Sequence, residues 1–154
     1  MKKHVFVLIF FTMLVMMLSA CSDDENKNEV IPTSDFVLGD PYRWNIFGDK
    51  DVFLVIKSDM DMYKYVEKDD LTEILPNTPD FEKSTLLLAK VLTTSGISKI
   101  ETRLIKHNDT NYTFEIHVFT NEATVAENRV IAVTCPLLAA NAKITSKTTI
   151  HKAE

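Results

Sequence analysis

The sequence predicts an α+β domain: a mostly antiparallel β-sheet of about five to seven strands with one main α-helix packed on it. Three observations predict it. Apolar and polar residues alternate in YTFEIHVF (112–119), the pattern of a strand with one wet side. STLLLAKVL (84–92) is a near-continuous apolar run, as in a central strand covered on both faces. DMDMYKYVEKDD (59–70), preceded by Ser58, has the spacing and start of a helix.

Taken in chain order, YRWNIF (42–47) offers a first strand, with Trp44 in the core, and DVFLVIKS (51–58) a second. In the helix, Ser58 followed three residues on by Asp61 resembles a capping box, and Asp59 suits the positive helix end. Met62 and Val66 share one face with Tyr63 beside them, and Lys64 and Lys68 take the outer side. Pro76 and Pro79 close that segment before the apolar strand. TTSGIS (93–98) is a turn around Gly96. KIETRLIKH (99–107) then partners YTFEIHVF through HNDTNY, whose Asn and Asp residues tolerate tight turns, so the pair reads as a hairpin. On its second strand Tyr112, Phe114, Ile116 and Val118 face inward while Thr113, Glu115 and His117 face water. NRVIAVTC (128–135) follows, and KITSKTTIHK (143–152), the weakest, is expected at an edge.

The front of the chain has a different character. Lys2 and Lys3 precede the uncharged run VFVLIFFTMLVMMLSA (5–20), sixteen residues, short of the roughly 20 a spanning helix requires. A basic start, apolar middle and small-residue end match a secretory signal peptide over residues 1–20. Leu18-Ser19-Ala20-Cys21 resembles the lipobox of bacterial lipoproteins, which implies diacylation of the Cys21 thiol and cleavage before it. Two or more acyl chains hold a protein stably on a membrane, whereas one does so only marginally. The following Ser22-Asp23-Asp24-Glu25 resembles the export signal of Bacteroidetes-type lipoproteins, which implies the outer membrane, facing the cell exterior rather than the periplasm. Residues 21–34, polar and poor in aromatics, are expected to form a flexible acidic tether, and residues 35–154 a single domain.

Composition removes several classes. The chain has 17 basic and 22 acidic residues; without Lys2 and Lys3 the balance falls to −7, which argues against nucleic-acid binding. Three glycines, at 39, 48 and 96, form no phosphate-binding loop, and no cofactor is implied. With Cys21 lipidated, Cys135 has no disulfide partner; within VIAVTCPLL it reads as a buried thiol rather than a nucleophile.

The remaining polar residues have simpler roles than chemistry. Glu115, His117 and His151 could contribute to a metal site only if another ligand converged; solvent-facing strand positions explain them more simply, and no metal is expected. Asp59, Asp61, Asp69 and Asp70 depart from a calcium loop after two ligands, leaving helix capping. Ser95 and Ser98 have no local base or orienting acid. Asn108 and Asn111 each begin an N-x-[ST] triplet, which the hairpin turn explains.

IKS (56–58), PDFEKSTLLLA (79–89), SGIS (95–98), the hairpin and the apolar strand running into Pro136 together resemble the PrcB-type domain, over about residues 50–150. Related domains, including the longer NigD-like proteins, occur among Bacteroidetes lipoproteins. Leu137 departs from the basic residue the family often has after that proline. The resemblance implies a non-catalytic accessory or protein-binding module, with a protease or surface assembly as partner, and lends no catalytic residues. The expectation is therefore a lipid-anchored binding protein rather than an enzyme. Its alternatives are a protease inhibitor or protease-complex subunit, using an edge strand or the loop TNEATVAEN (120–128), and a small hydrolase or carbohydrate-binding protein.

Overall fold

A computed structural model describes residues 28–38, 52–66 and 78–152. Its strands are β1 (Glu29–Ile31), β2 (Ser34–Asp35), β3 (Val52–Ile56), β4 (Ser84–Thr93), β5 (Ile97–Lys106), β6 (Asn111–Thr120), β7 (Glu127–Pro136) and β8 (Lys143–His151), with the one-turn helix α1 (Asp59–Met62) after β3. They form two four-stranded sheets, ordered β1-β5-β6-β8 and β2-β7-β4-β3. Every pairing is antiparallel except β6 with β8.

This overturns the expected α+β architecture. The fold is mostly β, and the principal cover of each sheet is the other sheet. Leu104, Tyr112, Phe114, Ile116 and Val118 of the first sheet share a buried cluster with Leu87, Ala89, Val91, Val133 and Cys135 of the second. The physical reason lies in β6. Its strict alternation buries four large side chains along ten residues, an apolar strip too long for one turn of helix to cover. Phe114, fully buried, stacks on Phe53 from the opposite sheet with ring centroids 5.8 Å apart.

β4 is covered on both sides, as its apolar run suggests. Leu87, Ala89 and Val91 face the other sheet, while Leu86 and Leu88 join a second cluster with Ile56, Met62, Val66 and Ala132. That cluster is where α1 does its packing. Ser58 caps it, its Oγ accepting from Asp61 N at 3.1 Å. Beyond Met62 the ladder becomes irregular: Lys64 N reaches Asp61 O and Tyr65 N reaches Met62 O, three residues back, while Val66 N reaches Met62 O, four back. The main helix expected over 59–70 is therefore a single turn followed by looser turns through Val66, and Lys68, Asp69 and Asp70 lie outside the described residues. So do YRWNIF and Trp44.

The tether boundary also shifts. Glu29–Ile31 pairs with β5 and Ser34–Asp35 with β7, so residues expected in the flexible tether cross from one sheet to the other along one side of the sandwich. Ile31 is drawn into the core, which gives this segment an apolar anchor that its polar composition hid.

The hairpin between β5 and β6 closes as expected. Asn108 Oδ1 accepts from Thr110 N at 3.0 Å and from Asn111 N at 2.9 Å, an Asx turn that accounts for both N-x-[ST] asparagines.

Candidate binding face

The outer side of the first sheet is the surface on which three of the polar residues singled out in the sequence, Glu115, His117 and His151, meet. Register fixes its rows. Lys99, Phe119 and His151 lie side by side across β5, β6 and β8; next come Glu101, His117 and Thr149, then Arg103, Glu115 and Lys147. Phe119, left out of the inward set, belongs here by the same alternation that buries Val118.

His117 and His151 converge diagonally. Nδ1 of His117 is 3.0 Å from Nε2 of His151, and the ring centroids are 5.3 Å apart at 21°. The centroid distance exceeds the N···N distance by about two ring radii, so the imidazoles meet edge to edge in an N–H···N hydrogen bond. Phe119 stacks flat on His151, with centroids 4.6 Å apart at 14°. Lys99 Nζ sits 5.8 Å from the Phe119 centroid and pairs with Glu101 at 2.6 Å. Glu115 Oε2 lies 3.8 Å from His117 Nε2, on the side of the ring away from His151. The N–H···N bond occupies the lone pair of one ring only, and among the described residues no three His, Cys, Asp or Glu side chains are placed to hold a metal ion.

The other candidates are placed apart from this face. Ser98 Oγ donates to Phe119 O at 2.9 Å, and Ser95 O accepts from Thr93 Oγ1 at 2.6 Å; both serve the strand ends. Asp61 makes an ion pair with Lys64 at 2.7 Å, and that ammonium holds its carboxyl below the usual aspartate range. Cys135 is buried beside Thr85, its Sγ 3.6 Å from Thr85 O, and burial pushes the thiol up to about 11. Such a thiol is a poor nucleophile at neutral pH. Cys21 lies outside the described residues.

The 121–126 loop is exposed but tied at its base. Asn121 N donates to Gly96 O at 2.8 Å, Gly96 N to Ala123 O at 2.9 Å, and Asn121 Oδ1 accepts from Ala123 N at 3.0 Å.

The lysines of β8, and Lys152 just after it, stand apart from the others. Lys64, Lys83, Lys99 and Lys106 each pair with a carboxylate, and Lys57 Nζ donates to Ala139 O at 2.8 Å. Among the described residues Lys143, Lys147 and Lys152 have no such partner. The sequence held this signal, since residues 143–152 contain no Asp or Glu.

Comparison with known protein families, curated proteins and solved structures gives no match in any of the three.

Proposed function

We propose that this chain is an outer-membrane lipoprotein, anchored through Cys21 and facing the cell exterior, whose β-sandwich is a non-catalytic accessory module that binds another protein. The observation that carries the reading is the open side of the first sheet. β8 ends the strand order, and residues 145–148 of it are exposed on both faces. Among the described residues no strand pairs with the outer edge of this nine-residue strand, which makes it a ready partner for another chain. The lipobox, the acidic segment after it and the resemblance to the PrcB-type domain support the anchoring and the accessory role.

Crosslinking on intact cells that carry the full chain, followed by tag purification, tests this. The expected result is one protein recovered reproducibly with the acylated chain and lost with a Cys21→Ala control. Recovery of no reproducible protein contradicts the proposal.

A second reading, protease inhibition, is favoured by the tied loop before β7, in which Val125 stands 64% exposed. Inhibition of a panel protease at micromolar full chain, abolished by Val125→Asp, is the result that reading requires.

A further inference from the structure

We propose that the open edge of β8 receives an extended acidic peptide segment of the partner protein, added as a fifth strand to the first sheet. The inference rests on the binding-module reading and supplies the partner's chemistry.

Backbone geometry gives the first argument. The outer edge of β8 faces no described strand, so over about 30 Å alternate N–H and C=O groups point outward without a ladder partner. Side-chain room gives the second. Phe114, Ile116 and Val118 of β6 are buried, yet their register neighbours Ser146, Thr148 and Ile150 are exposed, Ile150 at 48%. The end of the first sheet therefore overhangs its partner sheet, and an added strand finds space on both faces, with Ile150 as an apolar contact.

Charge selects the occupant. Lys143, Lys147 and Lys152 are unpaired among the described residues, and exposed Arg103 lies two strands in from Lys147, with Glu115 between them. The chain as a whole carries −5. A positive edge on a negative protein attracts an acidic strand and repels a basic one. It also opposes a second copy. Lys147 is the middle residue of β8, so antiparallel pairing of two copies about their centres sets Lys147 against Lys147. An anionic lipid surface would be repelled by the rest of the molecule, and its headgroups offer no main chain to the edge amides.

The test uses the full chain in uncharged detergent micelles and a fluorescein-labelled octapeptide alternating Val and Glu, read by anisotropy. Binding is expected, at least tenfold weaker when alternate peptide amides are N-methylated, at least tenfold weaker for the Lys143→Glu/Lys147→Glu chain, and lost when Lys replaces Glu in the peptide. Undiminished binding of the methylated peptide overturns strand addition without any change to the protein. So does binding that ignores the lysine substitutions, or no binding at millimolar peptide. Preference for phosphatidylglycerol vesicles over the peptide assigns the edge to lipid instead. Self-association abolished by Asp23→Asn/Asp24→Asn/Glu25→Gln assigns it to the acidic segment of a second copy. In cells, a crosslinked partner captured equally by the wild-type and Lys143→Glu/Lys147→Glu chains removes β8 while the binding-module reading stands; capture of no partner removes that reading even if the peptide binds.

Discussion

His117 and His151 meet edge to edge across the outer face, one N–H shared over 3.0 Å between β6 and β8. Thr120 Oγ1 adds a second tie, donating to His151 O at 3.2 Å. Together with the Phe119 stack, these contacts fix the end of the basic edge strand to the hairpin that forms the middle of the sheet.

The carboxylate of Glu115, 3.8 Å from His117 Nε2, is too far for a hydrogen bond but biases the tautomers of that pair. It faces Nε2 of His117, which favours a proton there and leaves Nδ1 to accept from His151 Nε2–H. Nitrogen-15 spectra taken with both imidazoles neutral should show Nε2–H tautomers for both rings. An Nδ1–H tautomer at His117 would contradict the assignment.

Phe114 links the two sheets, so its loss should be among the most damaging core changes. Phe114→Ala removes a fully buried ring and the stack on Phe53, and is expected to cost about 3–5 kcal/mol in denaturant unfolding. A cost below about 1 kcal/mol would mean that the sheets do not pack through this contact.

Cys135 gives the fold an alkaline limit. Its folded value of about 11 stands above the ordinary 9.0, so well below pH 9 the thiol is protonated in both states and contributes no pH dependence. As pH rises from 9 towards 11, the unfolded chain releases this proton while the folded one retains it, and stability falls by roughly 2–3 kcal/mol. Cys135→Ala should lose less stability than wild type across that window. Parallel stability–pH curves for the two chains would refute it.

Gly96 is required by space rather than by an unusual backbone angle, since no described glycine has a positive φ. A Cβ there would meet the Asn121 amide, with Oδ1 nearest and Cγ at 3.1 Å, and Asn121 holds the base of the 121–126 loop. Gly96→Ala should destabilise by about 1 kcal/mol, and less in an Asn121→Ala background where the colliding amide is gone. Strict additivity of the two substitutions would contradict the steric account.

The strands were largely legible because period-two alternation is local: YTFEIHVF states which side of β6 is buried, and STLLLAKVL states that β4 is buried on both. What buries those sides is not local. The alternation in β6 is equally compatible with a covering helix or a covering sheet, and the capped start at Ser58 made the helix look longer than it is. The pairing of Glu29–Ile31 with β5 joins residues more than 70 positions apart, and nothing in the polar segment around it announces a strand. For the binding face, alternation gave the outward direction of Glu115 and His117, but the contact with His151 depends on the parallel register of β6 and β8. That register follows a long crossover through β7, which no short window of sequence encodes.

The proposed lipid anchor on the Cys21 sulfur is tested by intact mass spectrometry of the chain purified from outer membranes. The predicted species begins at Cys21 and carries a diacylglyceryl thioether, with or without a third acyl chain on the new amine. A species that retains residues 1–20, or begins at an unmodified Cys21, would contradict it.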